Sequence, residues 1–128
     1  MANPASLTIT DLVKNAALTQ PATQAIDTDG TVNCPTAGKT DRLIFEIINL
    51  AATALTVTFL AGTGSQALIP QDLAVALAAT GTATDKRIIG PFEAGRFMKA
   101  DGSIDVQFAH ASGSTNATVR AYRLPATV

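Results

Sequence analysis

His110 is the only imidazole in the chain, and Asp105, Ser112 and Ser114 lie near it in sequence. A hydroxyl, an imidazole and an orienting carboxylate in hydrogen-bond contact would form a hydrolytic triad. No serine stands in the glycine-flanked elbow that presents a nucleophile. His110 therefore reads as a strand-end histidine beside a polar loop. Asp27, Thr28, Asp29 and Gly30 open like a calcium loop, where alternate carboxylates face one oxygen-ligated ion. Thr31, Asn33 and Pro35 occupy the later positions and no glutamate closes the loop, which leaves an Asx-type turn. Glu46 and Glu93 are the only glutamates, and a glycosidase pair would have to face across a cleft. Glu46 sits among apolar residues and reads instead as the partner of an arginine such as Arg42 or Arg120.

The remaining candidates are weaker. Cys34 is the sole cysteine, which excludes an intrachain disulfide framework and a cysteine-rich zinc site. No histidine lies near it in sequence, so the thiol reads as inert. Gly62, Thr63, Gly64 and Ser65 lack the lysine and the following helix of a phosphate loop. Asn116, Ala117 and Thr118 match a glycosylation triplet, but no secretion leader is visible and the match reads as chance. The expectation is a protein with no catalytic set, no cofactor and no metal.

Composition bounds the partners. The 128 residues suit one domain with a real core. Only 15% of them are charged, against about 25% in typical domains. Such a surface must use uncharged polar side chains or be covered by neighbours, as in obligate assemblies. The net charge is −1, and Lys86-Arg87 is the only adjacent basic pair, so nucleic acid is not an expected partner. No apolar stretch approaches the ~20 residues of a membrane helix, and the chain reads as a soluble protein made in a reducing cytoplasm.

The elements that would position these residues are strands. In Arg42–Leu60, Leu43, Phe45 and Ile47 share one face, and Leu55, Val57 and Phe59 share another. The stretch predicts a β-hairpin or a two-strand corner. Ile44 and Ile48 flank Glu46 on the face where water is expected, which implies cover by a second layer or by a partner chain. Leu7 to Thr10 alternates as a strand, with a brief helix over 9–17 as the rival. The loop-rich 17–38 leaves room for one short strand, near 25–31 or 31–34. Further strands are predicted over Asp72–Ala78, Lys86–Phe92, Ile104–His110 and Thr115–Leu124. Seven to nine short strands with regular turns predict an all-β, antiparallel β-sandwich or jelly-roll-like single domain over 7–128, with a flexible arm over 1–6.

One resemblance adds to this reading. Its residues are Leu7-Thr8-Ile9, the run Lys39 to Ile47, Ala54 to Gly62, Asp72 to Val75, Glu93 to Val106 and Val119 to Pro125. Within them an Arg96-Phe97 step precedes the Asp101-Gly102 turn. In strand order and turn residues the chain resembles the capsid decoration (cement) proteins of tailed bacteriophages. The resemblance implies a virion structural protein on the outer capsid surface, assembled in the host cytoplasm. Its partners would be the major capsid protein and itself, as a homo-trimer. The expected capsid contacts are Ala2, Asn3, Pro4, Ala5, Ser6 and Leu7, and the expected subunit interface is Ile44 and Ile48. Rival readings are a tail-tube or other tail subunit, and a carbohydrate- or receptor-binding module. The second is disfavoured by the single Tyr122 and the absence of Trp.

Overall fold

The alternating stretches are strands in the computed structural model, which describes residues 3–4, 6–35, 42–62, 71–92, 94–110 and 116–125. In chain order they are β1 (Ile9–Asp11), β2 (Gln24–Ile26), β3 (Gly30–Cys34), β4 (Leu43–Asn49), β5 (Leu55–Phe59), β6 (Leu73–Leu77) and β7 (Lys86–Ile89). A helical turn, α1 (Ala94–Phe97), precedes β8 (Ile104–His110) and β9 (Ala117–Arg123).

Two sheets pack face to face. β2, β9, β4 and β7 lie side by side in one, and β3, β8, β5 and β6 in the other. From β2 onward every connection crosses between the sheets except β5 to β6. That is the double Greek key of a jelly roll. β1 lies along the same edge of β9 as β2, at the opposite end, and it runs parallel to β9. Among the named strands this is the one departure from the antiparallel pattern, and an isolated bridge between Ser6 and Asn33 is also parallel. Strand β1 holds 9–11, so the helical rival for that stretch does not form. Residues 24–34 make two strands, where one was expected, because the turn at 27–29 sends the chain from one sheet to the other.

The core follows from period two. Leu43, Phe45 and Ile47 on β4 and Leu55, Val57 and Phe59 on β5 are all fully buried. Phe45 and Phe59 meet across the sandwich at 5.3 Å between ring centroids, and Phe92 touches both. Phe97, carried by α1, stacks edge-on against Phe92. The loop after β5 passes this turn closely. The Gly62 amide donates to the Arg96 carbonyl at 2.7 Å, and a Cβ there would lie 2.2 Å from the Met98 carbonyl oxygen. Only glycine fits.

Arg42–Leu60 is a corner and not a hairpin. β4 pairs with β7 and β9, whereas β5 pairs with β6 and β8. Asn49, in phase with the core residues of β4, makes the turn. It is fully buried, and its Nδ2 donates to the carbonyls of Thr53 (2.8 Å) and Ala78 (3.0 Å). Its Oδ1 accepts from the Ala51 amide at 3.0 Å and lies 3.1 Å from His110 Nε2. One side chain thus bends the chain and ties it to the ends of β6 and β8. Replacing Asn49 with alanine leaves these groups buried and unpaired, at a cost of about 3 kcal/mol. The expected readout is a lower urea midpoint with unchanged slope. A loss within about 0.5 kcal/mol would contradict this role.

Candidate functional site

The structure separates the residues that sequence proximity brought together. His110 faces inward with a fully buried side chain, and its Nδ1 makes no hydrogen bond among the described residues. Asp105 faces the other way on β8, where it pairs with Lys99 at 3.2 Å and accepts from Asn33 Nδ2 at 2.9 Å. Ser112, Ser114 and Glu93 lie outside the described residues. Asp29 accepts from the His110 amide at 3.2 Å, and the Asp27 and Thr28 amides donate to Asn3 Oδ1 at 2.8 and 3.0 Å. The stretch that opens like a calcium loop is therefore a turn held by the protein's own groups. No cluster of three or more metal-ligating side chains occurs among the described residues.

What the fold does assemble is a surface. The out-of-phase residues of β4 are Ile44, Glu46 and Ile48, all half-buried on the outer face of their sheet. The second layer covers the opposite face, so it does not cover these. Tyr122 stands opposite Ile44; Glu46 lies between Arg120 and Ile88; Ile48 lies between Thr118 and Lys86. Arg120 donates through Nη1 to Glu46 and through Nε to the Pro21 carbonyl at 2.9 Å. The strand-to-strand ion pair, with Arg120 rather than Arg42, therefore pins the β1–β2 segment across the face. Arg42 instead reaches the Leu124 carbonyl at 3.4 Å. A concavity of about 380 Å³ opens between Gln20, Glu46, Ile48, Lys86, Ile88 and Arg120. Ile88 is 74% exposed and Leu50, just past the strand, is 44% exposed. An aliphatic strip crossed by one ion pair is suited to being covered by another surface. Neither Ile88 nor Leu50 stood out in sequence; both lie in the outward phase set by Ile44 and Ile48.

The arm belongs elsewhere. Asn3 Nδ2 donates to the Thr28 carbonyl at 2.7 Å, and Ser6 bridges to Asn33 on the free side of β3. Leu7 is 1% exposed, a core residue, so the outward-facing groups of this stretch belong to Asn3, Pro4 and Ser6. Ala2 and Ala5 lie outside the described residues. The arm therefore follows the β3 edge of one sheet while Ile44 and Ile48 lie on the outer face of the other. Comparison with protein-family models, curated proteins and solved structures gives no match.

Cys34, which ends β3, is fully buried. Burial pushes its thiol up to about 12 from an ordinary value of 9.0, against a smaller opposing pull from Arg123. Above pH 9 the unfolded thiol loses its proton while the folded one keeps it, so the unfolded state gains and stability falls. Unfolding free energies of the protein and of Cys34→Ala, compared from pH 8 upward, should converge as the pH rises. The folded thiol should also resist a disulfide-exchange reagent; rapid labelling without unfolding would contradict its burial.

Proposed function

We propose that the chain is a virion structural protein that binds the outer surface of a phage capsid. There it cements neighbouring major-capsid subunits, acting as a homo-trimer. The observation that carries this reading is the outer face of the β4 sheet. Ile44, Ile48 and the 74% exposed Ile88 form an aliphatic strip on a chain with few charges. Water-facing sheet surfaces ordinarily alternate to polar residues, and a strip of this kind is stabilised when a neighbour covers it. The resemblance in strand order and turn residues supports the same reading. In it, Ile44 and Ile48 join subunits and the stretch from Ala2 to Ser6 contacts the capsid, while Leu7, 1% exposed and bonded through its amide to Asn33, belongs to the core. Several such contacts per trimer add by avidity, without a strong single site. The work done is mechanical: bridges between subunits resist the outward push of packaged DNA.

The test mixes purified protein with expanded, undecorated shells. Saturable uptake is expected, reduced by deletion of residues 1–6 in a protein that still melts cooperatively. Unchanged uptake after deletion would overturn the arm's role. Ile48→Asp should yield a folded monomer with stability within about 1 kcal/mol of the parent, since the side chain faces outward. A monomeric mass for the unmodified protein, both free and on the shell, would overturn the trimer.

A further inference from the structure

A strand edge left open recruits other strands, and folded proteins usually blunt each one. The four edges here are managed in different ways. β1 and β2, each three residues long, share the edge beyond β9 and are too short to offer a long template. The β3 edge accepts the Leu7 amide on its Asn33 carbonyl at 2.9 Å. The β7 edge presents Lys86 and Arg87, charges that discourage pairing. β6 differs: it has no charge and no proline, Ala74 and Ala76 are exposed, and its one strand partner among the described residues is β5.

The hydrogen-bond phase of the sheet determines which β6 groups face outward. The Leu60 amide donates to the Asp105 carbonyl, so even-numbered residues of β5 bond to β8 and odd-numbered ones to β6. Leu73, Val75 and Leu77 therefore bond to β5, and the backbone groups of Ala74 and Ala76 point away from it. Ala78 keeps this phase, its amide donating to the Thr84 carbonyl. Two guanidinium groups bracket the edge. Arg96 donates to the carbonyls of Gln71 and Asp72, each at 3.0 Å, and Arg87 reaches the Ala76 carbonyl at 3.5 Å. Neither meets a carboxylate among the described residues. Between them, the Ala74 N–H and C=O and the Ala76 N–H have no protein partner among the described residues.

We infer that the β6 edge is a docking site for an extended, acidic peptide segment of a partner protein. The segment adds as a fifth strand beyond β6, with carboxylates at Arg87 and Arg96. Main-chain bonds to Ala74 and Ala76 supply the affinity, and the two arginines select the charge of the flanks. Pairing of β6 with β6 of a second copy would set both arginine pairs along one seam, with Asp72 the only acid at the strand to offset them. An acidic partner suits the edge better. The inference concerns the isolated protein, so its failure would leave the capsid reading standing.

The test titrates the intact protein with the blocked peptide DTVTVTD, its counterpart KTVTVTK, and a DTVTVTD analogue N-methylated at both valines. Amide shifts are followed by NMR. Shifts centred on Ala74 and Ala76 are expected for the acidic peptide at millimolar concentration. Affinity should fall about tenfold when both flanks are reversed, the sum of two exposed ion pairs. The N-methylated analogue should not bind. Ala74→Pro removes an outward N–H without touching the β5 ladder, and should abolish the shifts while the protein stays folded. Arg87→Gln should reduce the preference for acidic flanks. The inference is overturned by equal binding of all three peptides, by the absence of shifts on β6, or by dimerisation through β6 in place of peptide uptake.

Discussion

The fold turns on one buried amide. Asn49 stands where an apolar residue would continue the core phase of β4, and each of its polar atoms is engaged: with Thr53, Ala78, Ala51 and His110. A buried amide is expensive to leave unpaired, so these contacts form together or not at all. Their geometry forces the chain out of one sheet and into the other at Ala51–Ala54. Without that bend, β4 and β5 would be natural hairpin partners. With it, Phe45 and Phe59 face each other across the interior and the sandwich has its two layers.

The bend also decides what is left outside. Once the Leu43, Phe45 and Ile47 face is committed to the interior, Ile44, Glu46 and Ile48 must face outward. Arg120 answers Glu46 and holds the β1–β2 segment to the same face, which covers part of the strip and leaves Ile88 bare. The ion pair is half-buried, its side chains 16% and 29% exposed. Its importance is positional, because it sets where the covered part of the face stops and the open part starts.

Much of this was legible in the sequence. Strict alternation in β4, β5, β6 and β8 marked both the strands and their buried faces, and Glu46 with Arg120 was one of two readable pairings. Strand partners were less legible. A small-residue break such as Ala51–Ala54 serves a hairpin and a corner equally well, and the difference rests on contacts of Asn49 with residues far along the chain. The parallel match of β1 to β9 leaves no local trace: Asp11 meets Arg123 across 112 positions. His110 was readable as a strand-end residue, but its burial against Asn49 was not, since nothing near either residue names the other. Edge status was hidden for the same reason. The small, apolar β6 looks like any other alternating run until its neighbours are known.

The place of β9 has a kinetic consequence. It lies at the centre of its sheet, between β4 on one side and β1 and β2 on the other, yet it follows all of them in sequence. A nascent chain that has emerged only as far as residue 116 holds β1, β2 and β4 with no strand between them, and their apolar faces stay exposed. Contacts this distant in sequence make folding slow and late, and they favour capture of the waiting strands by other chains. The sheet that bears the aliphatic strip can close only after β9 arrives, so ribosomes crowded on one message would bring unfinished copies together before any has a finished surface.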